Sequence, residues 1–268
     1  MLAIDGTLLD FKRLDLLAMR ESAVHRLDAR AKVLTTLAYI LCVVSFGRYE
    51  VAAMLPFLIY PVALLALADL PAGYLARKIA IVTPFALTIG LFNPLFDRQV
   101  IVQFGALDIW GGWLSCASIV ARALLTTAAA IVLVAVTGFP AICAALERLG
   151  MPRVFAVQLL FLYRYIFVLT DEGGRVSRAR QLRACGQKRP GLRHFGPLVG
   201  HLLLRTWERA ERIHMAMLAR GFSGEVHARR QGRFGAGDLL FVLGWSALFI
   251  ALRQYNIPRF LGILLIGN

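Results

Sequence analysis

"VFAVQLLFLYRYIFVL", residues 154–169, is the stretch on which the fold turns. It is apolar enough to enter a bilayer, yet it lies inside the most basic part of the chain. Residues 138–235 hold 17 Lys and Arg against 6 Asp and Glu, a net of +11 out of a total of +14. Cationic segments stay on the cytoplasmic side of a membrane. A crossing at 154–169 would carry the basic stretch after it to the outside. The charge bias therefore predicts that 154–169 does not cross, but packs under or into the cytoplasmic side of a helix bundle. Pro152 suits the first turn of a helix. The expected element is one long helix over 152–184, oily first and charged later, reaching roughly 50 Å at 1.5 Å per residue. "GQKRPG" (186–191) supplies a stop of glycine and proline, and a second helix is expected over about 197–220.

Outward from this region the chain becomes a membrane protein. It is 59% hydrophobic and 17% charged, where a soluble domain carries about a quarter charged residues. Apolar blocks at 33–47, 51–68, 79–96 and 114–136 precede the basic region, and "GDLLFVLGWSALFIAL" (237–252) follows it. A last apolar piece, 257–266, is short for a span. Pro56 and Pro61 are expected to kink the second block, which neighbouring helices can tolerate. "LARK" (75–78) is read as a basic inner loop, and 97–113, with Asp97, Asp108, Trp110 and Trp113, as an outer one. "LDLLAMRESAVHRLDARAK" (14–32) is expected to be an interfacial helix and turn on the inner side. The start of the chain, with Asp5, Asp10 and Asp15, offers no cleavable signal segment. The charge of +14 is explained by this orientation and does not point to nucleic acid. The fold class is all-α, a polytopic bundle. Residues 1–137 form an interfacial helix and four spans, 138–235 a cytoplasmic domain, and 236–268 a C-terminal membrane segment.

Both long helices of the basic domain are predicted to end alike. "GGRVSRARQLRACGQ" (173–187) closes on Arg183, Ala184 and Gly186, and "MAMLARGFSG" (215–224) on Ala219, Arg220 and Gly221. Arginine near a helix C-terminus favours the dipole, and glycine just past the end is a common stop. Two such tips in one region also suit capture by carboxylates, because a guanidinium can hold a carboxylate bidentately. Between 203 and 218, Leu203, Leu204, Trp207, Ala210, His214, Met217 and Leu218 recur at helical spacing and mark an apolar face. Arg205, Glu208, Arg209, Glu211 and Arg212 fill the other faces, with Glu208 and Arg212 as i,i+4 partners. Met215 and Met217 suit either core packing or an irregular partner surface.

Enzyme chemistry finds little support. No GxxxxGK[ST] is present, so ATP binding by this chain is not expected. His25, His194, His201, His214 and His227 show no metal-ligand spacing, and a structural or surface role is the better reading for them. Cys42, Cys116, Cys143 and Cys185 form no CxxC pair. Asp171 and Glu172 read as ion-pair partners for Arg175 rather than as an acid–base pair. Arg122 and Arg164 stand in apolar segments, where an ionisable group raises a functional question. The structural reading is preferred for both.

"HRLDARAKVL" (25–34), "ERLGMPR" (147–153), "YRYIFVLTDE" (163–172) and "RTWERAERIHMAMLARGF" (205–222) resemble the transmembrane T components of energy-coupling factor (ECF) transporters, above all the cobalt-type subunit CbiQ. The likeness runs from about 20 to 255. It implies two long coupling helices that cross in the cytoplasm, each with an arginine-centred motif that docks on an ATPase. The second motif matches as Ala219-Arg220-Gly221. The first departs, reading Leu182-Arg183-Ala184 with Cys185 before Gly186, and Arg183 is taken as its anchor. The resemblance further implies two ATP-binding cassette subunits, a CbiM-like substrate-binding membrane subunit and a small CbiN-like one. ATP and magnesium would sit on the ATPases and cobalt, or its relative nickel, on the substrate-binding partner. This chain would be a multi-pass, non-catalytic subunit of the bacterial inner membrane, with no catalytic, cofactor or metal residue of its own. Two other classes stay open: a membrane enzyme acting on a lipid or isoprenoid, which would need acidic or histidine residues clustered at one depth, and a conventional ABC permease, which would need polar residues lining its own path.

Overall fold

A computed structural model describes residues 17–20, 22–96, 100–104, 107–183, 195–224 and 234–254. The "GQKRPG" stop, the apolar piece 257–266, Ala184, Cys185, His194 and His227 lie outside the described residues. A single turn, α1 (Ala23–Arg26), leads to Asp28, whose side chain accepts from the Arg30 N–H at 2.9 Å and so starts α2 (Ala29–Val44). The expected interfacial helix over 14–32 is thus, in its described part, two short pieces ahead of α2. The second apolar block is broken into α3 (Val51–Met54), a 3-10 turn (Leu55–Leu58) and α4 (Ile59–Leu67). Then come α5 (Ala72–Leu91) and the short α6 (Asn93–Phe96). An antiparallel hairpin pairs β1 (Val100–Phe104) with β2 (Leu107–Trp110). It leads into α7 (Gly111–Thr137), α8 (Phe139–Arg148), α9 (Arg153–Arg183), α10 (Phe195–Ala219) and α11 (Ala236–Gln254). Among the described residues the chain is all-α apart from that hairpin.

Two sequence boundaries are corrected. "LARK" (75–78) is not a loop but lies in the first turns of α5, because Pro71 stands at the N-cap and Leu75, Ala76, Arg77 and Lys78 are themselves good helix formers. The expected outer loop 97–113 contains the hairpin, built on a β-prone "VIVQF" that hydropathy alone does not distinguish from loop.

Contacts divide the chain after Ala145 and after Arg230. In the unit formed by the described residues of Leu14–Ala145 and Gln231–Asn268, the helices pack around an aromatic centre of Tyr39, Phe57, Tyr60, Trp245 and Phe249. Backbone and hydroxyl groups in such a bundle must find partners inside it. Pro61 has no N–H to offer the Phe57 carbonyl one turn earlier, and the Tyr39 hydroxyl donates to that carbonyl instead, at 3.1 Å. Thr36 donates to its own helix at the Lys32 carbonyl, so the Tyr60 hydroxyl, 2.8 Å away, donates to Thr36. Small residues bring α5 onto α7: a side-chain carbon at Gly90 would meet Cys116 Sγ at 2.9 Å.

The two ends of this unit are held by charged groups. At one end the buried Asp238 carboxylate accepts from the Asp28 N–H at 2.7 Å and from the Gly235 N–H at 2.9 Å. Lys32 is buried beside both aspartates. The Arg20 guanidinium donates to the Asp69 carbonyl at this end, and Gly138, past α7, packs on Ala18. At the other end Arg122 donates to the Phe46 carbonyl and Arg253 to the Ser45 carbonyl, with Arg253 also over the Phe46 ring. Arg122 therefore has a structural role, donating to carbonyls of the turn just past α2. Helices α2 and α11 run parallel, and α7 runs against them.

Asp238→Ala removes a helix cap and leaves a buried N–H of Asp28 without a partner. A loss of about 2–3 kcal/mol is expected, read as a lowered midpoint of thermal unfolding in detergent, with Asp238→Asn losing less. His25 sits between the Ser22 hydroxyl at 2.8 Å and the Leu17 carbonyl at 3.1 Å, and burial pushes its pKa below the ordinary 6.5. The fold then favours neutral imidazole. Its contribution is complete above pH 6.5 and fades as the pH falls through the lowered value. The wild-type midpoint should drop on acidification in that window, and His25→Gln should flatten the drop.

Candidate functional site

The second unit lies within Leu146–Arg230 and carries the two long helices. Entry is through α8, which ends at Gly150 with φ +111; Gly150 N–H bonds the Glu147 carbonyl and Met151 N–H the Leu146 carbonyl. This paired Schellman closure satisfies the last carbonyls and turns the chain at "LGMPR". Pro152 then precedes α9, whose 31 residues extend roughly 46 Å. With 25 residues, α10 extends roughly 37 Å. The start of α9 and the end of α10 fall within one residue of those read from the sequence.

The two helices meet at Glu172. Its carboxylate takes Arg175 of its own helix and, through the other oxygen, Arg205 of α10 at 2.7 Å. Next to it Gly173 lies opposite Leu202 of α10. The i,i+3 partner Arg175 was legible in the sequence; Arg205, 33 residues on, was not, because nothing local fixes where two helices cross. Glu208 and Arg212 also pair, at 3.8 Å with both side chains largely exposed, which contributes little. Of the apolar face read on α10, Met217 is partly covered, whereas Leu203, Trp207, His214 and Leu218 are exposed.

The tip of α10 is a complete Schellman motif. Gly221, at φ +77, donates its N–H to the Leu218 carbonyl at 3.0 Å, and Phe222 donates to the Met217 carbonyl at 3.0 Å. Phe222 and Met217 are both partly buried, as the hydrophobic contact of this motif requires. Gly221 is there because a left-handed residue must be. Arg220, the residue at the cap, is exposed, and among the described residues no hydrogen bond or ion pair holds its guanidinium. Phe222 was missed in the sequence reading, although an apolar residue two past a helix end is its signal. At the other tip Leu182 and Arg183 are the last described residues of α9 and both are exposed. Arg164 is exposed on α9.

The sequence profile of the CbiQ family, described as cobalt transport protein, matches residues 20–231. This chain belongs to that family. It is 30% identical over 250 residues to the energy-coupling factor transporter transmembrane protein EcfT of Heliobacterium modesticaldum, covering 86% of this chain and 92% of that one. EcfT of Thermosediminibacter oceani is 25% identical over 85% of this chain and 92% of its own. The cobalt transport protein CbiQ of Salmonella typhimurium is 30% identical over 107 residues, 40% of this chain and 48% of its own. Four described helices are long and apolar enough to cross a membrane: Ala72–Leu91, Gly111–Thr137, Arg153–Ala179 and Ala236–Gln254. The protein is a multi-pass transmembrane component of an ECF-type or cobalt transporter.

Gly221→Ala should cost about 1–2 kcal/mol locally, because an L side chain is strained at positive φ. Hydrogen exchange of the Gly221 and Phe222 amides should accelerate accordingly. Gly196→Ala, on the same helix with open space around it, should leave those amides unchanged.

Proposed function

We propose that the protein is the coupling subunit of an ATP-driven metal importer, carrying motion from two ATP-binding cassette subunits to a substrate-binding membrane partner. Arg183 and Arg220, with Leu182, Ala184, Ala219 and Gly221 around them, would dock into grooves on the two ATPases. The observation that carries this reading is the pair of long helices joined at Glu172, one of which ends in an exposed guanidinium on a fully capped tip. A guanidinium's planar fork can hold a carboxylate with two hydrogen bonds and loses less freedom per bond than an ammonium does. ATP and magnesium would be held by those ATPases. Closure on ATP would draw the tips together, and reopening after hydrolysis would part them. A CbiM-like subunit, with a CbiN-like one beside it, would hold and release cobalt; the metal follows from the CbiQ relative's name.

The inner-face location of residues 138–235 draws support from chain connectivity. The span before the insertion ends at Gly138 beside Ala18, and the span after it begins at Asp238 beside Asp28. Exit and return thus share one end. Helix Arg153–Ala179 is long and apolar enough to cross, but a lone crossing would strand the return at the opposite end. Among the described residues no second helix in the insertion has that character, and the stretches 184–194 and 225–233 are shorter than the ~17 residues a span needs. The net of +11 in this insertion points the same way.

Arg220→Glu should weaken co-purification with the ATP-binding subunits by about ten-fold or more, and Arg183→Glu with it should abolish metal uptake. Membrane insertion should persist in both. Normal uptake by the double variant, or exclusive labelling of residue 178 from the outer face, would refute the proposal.

A further inference from the structure

Two adjacent glycines sit in the interior of α9, at the point where α10 crosses it, and the folded geometry does not require either. A side-chain carbon at Gly173 would meet only Leu202 Cδ1 at 3.9 Å, and one at Gly174 only Arg178 Nη2 at 3.9 Å, both ordinary contacts. Neither has positive φ; the described glycines that do are Gly138, Gly150, Gly221 and Gly224. Gly90 is different, since Cys116 leaves it no room. Glycine is the poorest helix former after proline, because it gains the most backbone freedom when the helix opens. Side by side in a 31-residue helix, Gly173 and Gly174 make the weakest turn of α9. Paired small residues are also where helices bend sharply.

The neighbouring residue gives that weak turn a fixed point. Glu172 holds Arg205 of α10 and Arg175 on the far side of the glycines. From Glu172 to Arg183 is roughly 16 Å along the axis, and from Arg205 to Arg220 roughly 22 Å. A bend at Gly173–Gly174 would therefore swing the Arg183 tip while the crossing stays clamped.

We propose that Gly173–Gly174 is a hinge in α9, pinned by the Glu172–Arg205 bridge, about which the segment Arg175–Arg183 reorients during the transport cycle. This rests on the coupling role proposed above and adds to it the place where the first helix bends. A stiff rod would pass every displacement of its tip straight to its apolar end. A hinged one lets the two ATPase-docked tips close together without dragging the first half of α9 by the same distance.

The test is the double variant Gly173→Ala/Gly174→Ala, which stiffens the turn without a clash and raises helix propensity, so folding is preserved. In liposomes holding the complete transporter, assembly and ATP hydrolysis should stay near wild type while metal uptake per ATP hydrolysed falls by about five-fold or more. In the solubilised full chain, spin labels at positions 162 and 178 should give a broad distance distribution in the wild type and a narrow one in the variant. Unchanged uptake per ATP, or identical distance distributions, overturns the hinge. If the wild-type chain itself fails to join ATP-hydrolysing subunits, the coupling role is what fails, and the spin-label comparison still decides the hinge.

Discussion

One carboxylate fixes the plan of this molecule. Asp238, buried at the start of α11, accepts from the N–H that precedes α2 and from the N–H at its own helix start. A buried N–H without a partner is costly in any protein and more so in a bilayer. The bond therefore does more than cap a helix. It places the first and last described long helices side by side and in parallel, with Arg253 and Ser45 securing their far ends. Because of it, the basic insertion between α7 and α11 leaves and rejoins the bundle at one end.

The same economy of partners runs through the bundle. Prolines that break the second apolar block expose the Phe57 carbonyl, and Tyr39 repairs it. The Ser45 and Phe46 carbonyls, at and just past the C-cap of α2, are taken by arginines from two other helices. These contacts let an apolar bundle tolerate kinks, hydroxyls and cations without leaving polar groups bare. In the insertion the logic is reversed. Arg220 at the α10 tip has no ion pair among the described residues, and an ion bridge links α9 and α10 at their crossing. Two long helices tied by this bridge suit the coupling role proposed above.

Much of this was legible from the chain. The all-α class, the extents of α9 and α10, the Schellman glycine at 221 and the family likeness follow from hydropathy blocks, helical spacing and short-range turn chemistry. Local signals failed where a different local rule competed. "LARK" was read as a loop from its charge, but helix propensity won. Residues 97–113 were read as a loop from their polarity, but a β-prone run formed a hairpin. The first arginine motif is legible only to Arg183, since Ala184 lies outside the described residues.

The sequence by itself determined which segments are oily, which are charged, and where helices stop, because each of these depends on residues within a turn or two of one another. Tertiary structure alone decided that Asp238 meets Asp28, that Glu172 reaches Arg205, and that exit and return share one end. Those pairings join residues up to 210 positions apart. No local propensity encodes such a meeting; it exists only once the helices have packed and each buried polar group has chosen from what the packing brings within reach.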